Sequence, residues 1–172
     1  MKKEDALFCV GQKAFIEKDG SVLILNDPLE GLDFPGGKIQ VGETDFVEAL
    51  KREVREETML EIEIGEPFIV WYNEFALPHR NAGKKVYLIG FKCKYKSGEV
   101  VLSNEHDNFR WVDKDNFHEV DDGTQYFIPL KKYFGLAKKK IWSKEKLKRG
   151  SFSKKTAKIP LVRGVPEGRG IF

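Results

Sequence analysis

Apolar residues run in short, partly alternating blocks over Phe8 to Ile16 and over Val22 to Leu25. That pattern reads as two strands, joined by a turn at Lys18-Asp19-Gly20. Asp27 to Gly37 is rich in Gly and Pro and reads as a loop. From Asp45 to Thr58 the period changes. Val47, Leu50 and Val54 recur at helical spacing and predict an amphipathic helix with those three as its buried stripe. Ile62 to Phe75 predicts one or two strands, Ala76 to Gly83 a loop, and Val86 to Tyr95 a further strand. Val100-Val101-Leu102 and Phe109 to Val112 read as short strands around an acidic loop. A second helix is expected over Pro129 to Trp142, with Leu130, Tyr133, Phe134, Ala137 and Ile141 on one side. Pro129 would take its first position, where a missing N–H needs no partner. The order strands, helix, strands, helix implies a mixed α/β (α+β) domain and not a succession of βαβ units.

Composition narrows the class. A chain of 172 residues, 41% hydrophobic and 33% charged, suits one soluble globular domain with an appendage. The longest apolar runs are far too short to span a membrane. The charged start, Met1 to Asp5, leads into no apolar stretch of the kind a secretory signal needs, so a cytoplasmic protein is expected. Cys9 and Cys93 sit in strand-like apolar runs with no metal-ligand spacing, which favours core thiols in a reducing compartment. The net charge of +3 is unevenly spread. Residues 143–172 hold nine Lys or Arg against Glu145 and Glu167, a formal +7, which leaves −4 on residues 1–142. The acidic portion 1–142 is expected to hold the chemistry, and the basic portion 143–172 to be an extension.

The chemistry-bearing candidates are on the first helix. Glu53, Glu56 and Glu57 are spaced i, i+3, i+4 and project from one face. Like charges at that spacing repel. A divalent cation reverses the sign, because Mg²⁺ takes hard oxygen ligands and keeps sites for water and phosphate. Ala49, one turn earlier, is small and would leave room beside them. An acidic helix face also occurs as a merely solvated surface. Pro35-Gly36-Gly37 makes the combination more specific, since glycine lets backbone groups approach an ion or a phosphate closely.

The segment from Gly37 through Glu43, followed by Arg52-Glu53-Val54-Arg55-Glu56-Glu57-Thr58-Met59-Leu60, resembles the box of the Nudix family. In that motif a Gly is followed by Glu, then Arg-Glu, an aliphatic residue, any residue, Glu-Glu, any residue, Gly and an aliphatic residue. The resemblance covers Gly37 to Leu60 directly. The strand pair before it and Glu105 to Val112 after it extend the likeness, and the tail lies outside. Two features depart from the motif. One extra residue stands between Glu43 and Arg52, and it falls between Thr44 and Val47. Asp45 with Glu48 makes a capping box, so the helix is expected to start at Asp45 with the loop bulging before it. The insertion leaves the glutamate spacing intact but separates the partners of the family's Glu43–Arg52 ion pair. Met59 stands where the family has a left-handed Gly, so either the helix ends differently or strain of about 1–2 kcal/mol is accepted.

The resemblance implies the Nudix fold, a mixed β-sheet between helices. It implies Mg²⁺- or Mn²⁺-dependent hydrolysis of a phosphoanhydride in a nucleoside diphosphate linked to X, such as a nucleotide or nucleotide-sugar. Glu53, Glu56, Glu57 and the Gly37 carbonyl would hold the metal. Glu105 or Glu53 would be the general base, and Arg52 would pair with Glu56 or Glu43 to order the site. Lys38, His79, Arg80 and His106 could reach a phosphate or simply face water; His118 carries no such suggestion. Trp71, Tyr72 and Phe75 could stack on a base or belong to the core. The expected partner is a small-molecule nucleotide, with a homodimer possible and no membrane. Two alternatives stand beside this one. The basic tail could guide an RNA-cap or RNA 5′-end hydrolase, yet it carries only Phe152 and Phe172 as aromatics after Trp142 and no RNA-binding motif. A non-catalytic regulator with this fold would be expected to have lost some of the three glutamates.

Overall fold

A computed structural model describes residues 5–74 and 83–135. Phe75, Pro78, His79, Arg80, the last part of the expected second helix and the basic tail lie outside the described residues.

β1 (Cys9–Lys18) and β2 (Ser21–Asp27) form an antiparallel hairpin. Asp19 and Gly20 both have positive φ, 51° and 81°, the twist that suits a two-residue hairpin turn. β3 (Gly31–Asp33) pairs back on β2 within the segment expected to be all loop. Three residues are too few to show a period, and Leu32 is the only one of them fully buried. After helix α1 (Phe46–Thr58) come two long antiparallel strands, β4 (Glu61–Glu74) and β5 (Lys85–Ser97). β5 runs parallel to β1, and β6 (Asn108–Val112) pairs antiparallel with β2. The mixed six-stranded sheet has the order β3-β2-β1-β5-β4, with β6 also on β2.

Side-chain alternation divides the core between the two sheet faces. Ala14, Ile16, Leu23 and Leu25 meet Leu50 and Val54 of α1. Phe15, Val22 and Ile24 point the other way, to Phe117 in a 3-10 turn (Phe117–Val120) and to Phe127 and Leu130 of helix α2 (Phe127–Tyr133). Burial on both faces explains why Val22 to Leu25 is apolar without interruption. Cys93 is buried and Cys9 half-buried, and both are free thiols. Among the described residues no helix is long and apolar enough to cross a membrane.

Three expectations are corrected. The packed stripe of α1 is Ala49, Leu50 and Val54; Val47 is 45% exposed beside the exposed Phe46, because the first turn is anchored by its cap and not by packing. Val100 to Leu102 is not a strand. Its backbone serves the end of α1 instead, with the Val101 N–H donating to the Thr58 carbonyl and the Ser103 N–H to that of Glu57. α2 begins at Phe127 and ends at Tyr133, well before Trp142, so Pro129 is its third residue, still within the turn whose N–H groups lack helical partners.

Met59 closes α1 in the left-handed region at φ 60°, with its N–H on the Arg55 carbonyl at 2.9 Å. The helix keeps the family's ending and accepts the strain. Met59→Gly is expected to stabilise the fold by about 1 kcal/mol, because the side chain is 57% exposed and contributes little packing. Chemical denaturation measures this. An unchanged or lower midpoint would show that Met59 holds the conformation without strain.

Candidate active site

The segment Pro35-Gly36-Gly37 runs beside β1, along the stretch that precedes its pairing with β2 at Glu17 and Lys18. The Ala14 N–H donates to the Pro35 carbonyl (2.7 Å), the Gln12 N–H to that of Gly37 (2.9 Å), and the Ile39 N–H to that of Val10 (3.0 Å). Both glycines are needed for closeness. At Gly36, φ 125°, a Cβ would lie 2.3 Å from the Gln12 carbonyl oxygen; at Gly37 it would lie 2.5 Å from the Glu53 carboxylate. The turn and the acidic face of α1 are therefore in direct contact.

Arg52 organises that face. Its guanidinium reaches Glu43 (2.8 and 3.0 Å), Glu53 (2.8 Å) and Glu56 (2.8 Å) at once. The extra residue has not broken the Glu43–Arg52 pair. The Gln40 N–H donates to the Glu43 carboxylate at 2.7 Å across a turn in which Gly42 has φ 92°. That bond, then Arg52, holds the Glu43 carboxyl below its ordinary range. Asp45 caps α1 by accepting from the N–H groups of Val47 and Glu48. The Glu48 carboxylate turns to Lys51 (2.7 Å), where a full capping box would have sent it back to the cap.

Glu57 is 7% exposed and accepts the Gly36 N–H at 2.8 Å. Burial, then the charge of Asp33, pushes its carboxyl up to about 7 against the pull of Lys13 and the Gly36 N–H. Beside it the Lys13 ammonium donates to Asp33 (2.9 Å) and to the Gly36 carbonyl (2.7 Å). His106 Nε2 lies 3.5 Å from the same Asp33 carboxylate. Burial opposes the charge on each of these three groups. The pairing overrides it: Lys13 and His106 are held above their ordinary values and Asp33 below its own.

A model of the NUDIX domain matches residues 12–131. The chain belongs to the Nudix family. Among solved structures, a MutT protein from Methanosarcina mazei Go1 is similar to 77% of this chain over 96% of its own, at 27% identity and a TM-score of 0.63. The E. coli ORF135 protein matches 63% of this chain over 76% of its own, at 25% identity and 0.50. A C. elegans Ap4A hydrolase shares the fold over 74% of this chain and 95% of its own, at 23% identity and 0.58. No curated protein matches the sequence.

In this Nudix hydrolase one cleft gathers Gly37, Glu53, Glu57 and Glu105, with Lys38 and His106 also on its walls. Glu56 is not a wall; its carboxylate is 59% exposed and held by Arg52. Among the described residues no three acidic, His or Cys side chains stand close enough to enclose an ion as they are. The donor set still suits Mg²⁺ or Mn²⁺. Glu53 and Glu57 supply hard oxygens against a backbone turn that a Cβ would fill, and such ions leave their other positions to water and phosphate. Trp71 is core, edge-on to Tyr126; Tyr72 bonds Glu74 and packs beside Phe8 and Tyr87; Ala49 is buried. His118 packs edge-on against Phe117. Lys13, Asp33 and Tyr126 also line the cleft, and sequence reasoning passed over all three. The available signal was Lys13, a lone charge directly before Ala14-Phe15-Ile16.

Proposed function

We propose that this protein hydrolyses a phosphoanhydride bond in a nucleoside diphosphate linked to a further group, using Mg²⁺ or Mn²⁺. The observation that carries the reading is the meeting of Glu53 and Glu57 with the Gly36-Gly37 turn in one cleft. Glu53, Glu57 and the carbonyls of that turn would hold the cation, joined by Glu56 when it leaves Arg52. Held there, the cation would supply positive charge opposite the diphosphate oxygens and make a bound water more acidic. Arg52 keeps Glu53 aimed at the turn. Glu105, exposed and on the cleft wall, is placed to accept the proton of the attacking water, with Glu53 as the second candidate. Lys38 on the same wall is placed to meet a phosphate. Leu32, Val86 and Leu88 give the cleft an apolar side suited to a base or sugar.

A substrate panel tests this: nucleoside triphosphates, ADP-ribose, NADH, dinucleoside polyphosphates and capped RNA, each with Mg²⁺ and Mn²⁺ and with products identified. Turnover of at least one small nucleotide is expected, with EDTA abolishing it and leaving the fold intact. Mg²⁺ should raise the melting temperature, because a cation bound only by the assembled site stabilises the native state. Full turnover in excess EDTA would remove the cation from the mechanism.

A further inference from the structure

Lys13 is buried on β1 at 6% exposure, a position where an apolar residue would pack against the core that Phe15 joins. Its pair with Asp33 does not explain itself as a source of stability. The cost of desolvating two charges offsets most of their attraction, and a well-packed apolar pair of similar volume often does as well. The geometry supplies another reason. Two side chains grip the Gly36 peptide units, Glu57 taking the N–H at 2.8 Å and Lys13 the carbonyl at 2.7 Å. The next carbonyl, that of Gly37, is held by β1 through the Gln12 N–H. In this turn the Gly36 carbonyl is fixed by a side-chain cation, and that cation is itself anchored, by Asp33 on β3. The residue between the two grips sits at φ 125°, so it has no ordinary conformation of its own to keep it in place.

We infer that Lys13, anchored by Asp33, is a positioning residue that sets the orientation of the Gly36 carbonyl and through it readies the glycine turn for a divalent cation. This rests on the cation reading proposed above. Lys13 acts on the turn and need not touch the cation or the phosphates.

Two doubly substituted proteins test it, each removing one positive and one negative charge together, so that the net charge of the cleft is unchanged. Lys13→Met with Asp33→Leu keeps the core filled but leaves no donor for the Gly36 carbonyl. Lys13→Gln with Asp33→Asn keeps a donor. Mn²⁺ binding is read by electron paramagnetic resonance without substrate, alongside kcat, the nucleotide KM and the melting temperature. The Met/Leu protein should melt at or above the wild-type temperature, yet bind Mn²⁺ about tenfold more weakly, roughly 1.4 kcal/mol, with a matching fall in kcat and little change in KM. The Gln/Asn protein should bind Mn²⁺ close to the wild-type affinity. Equal Mn²⁺ affinity in wild type and the Met/Leu protein overturns the inference. If the Met/Leu protein does not fold, the Gln/Asn protein decides alone, and a tenfold loss there overturns it. Wild type that binds no Mn²⁺ would instead defeat the cation reading.

Discussion

Glu57→Gln and Glu53→Gln are each expected to lower kcat by about two orders of magnitude or more, because each would remove a charged oxygen ligand of the proposed cation at the point where phosphate charge must be balanced. Both carboxylates face the cleft and touch or nearly touch the glycine turn. Neither loss should unfold the protein. Glu53 is only partly buried, and Gln at 57 can still accept the Gly36 N–H. Glu56→Gln should have a smaller effect, since that carboxylate is exposed on Arg52 and reaches the cleft only by giving up an ion pair. Steady-state kinetics on the best substrate, with circular dichroism as the check on folding, measures all three. Wild-type turnover in Glu57→Gln would remove that residue from the cation site.

The parts of the fold that were legible in sequence are those with a period. Val22 to Leu25 announces a strand, and Leu50 with Val54 announces the side of α1 that meets the sheet. Glu53 and Glu57, candidates by their spacing, line one cleft with Gly36 and Gly37 because helix and turn are close in the chain, while Glu56 stands off it on Arg52. What stayed hidden depends on distant pairings. Lys13 and Asp33 are 20 residues apart, and His106 is farther still; in a chain with one charged residue in three, each looks like an ordinary solvated group. Val100 to Leu102 departs from its pattern for a related reason. Its apolar triplet has strand composition, yet its backbone donors find the unsatisfied carbonyls of α1 before any strand. β3 is too short to carry a pattern, and Pro129 was placed one half-turn early because several positions of a helix's first turn tolerate proline equally. The Glu43–Arg52 pair survives an insertion that counting alone sets between its partners.

In metal-free protein Glu57→Gln is expected to melt several degrees above wild type at about pH 8, with the gap closing toward about pH 5. The sign follows from the carboxyl being pushed up to about 7 by burial and by Asp33. Between its unfolded value and 7 the folded state holds a proton that the unfolded chain has released. The unfolded state binds fewer protons across that window, so the contribution of Glu57 to stability falls as pH rises through it and levels off above. His106, held above its ordinary value by Asp33 despite burial, adds a slope of the same sign, because its stabilisation is lost as pH rises through the folded pKa. Asp33, held low, contributes stability above its unfolded pKa that is lost only on strong acidification, outside the window. Comparing the variant with wild type therefore reports Glu57 together with the part of the His106 shift that the Glu57 charge causes. Mg²⁺ should invert the order at high pH. On the proposed reading it would bind the ionised carboxylate, so wild type should gain melting temperature and Glu57→Gln should gain little. A buried carboxylate kept without a partner of full strength is thus a stability cost that a cation relieves, the form in which a site gives up stability for function. Scanning calorimetry in EDTA and in Mg²⁺ across pH checks both halves. A variant that melts below wild type at pH 8 in EDTA would show that Glu57 stabilises the metal-free fold as a carboxylate, and the proposed relief by the cation would not exist.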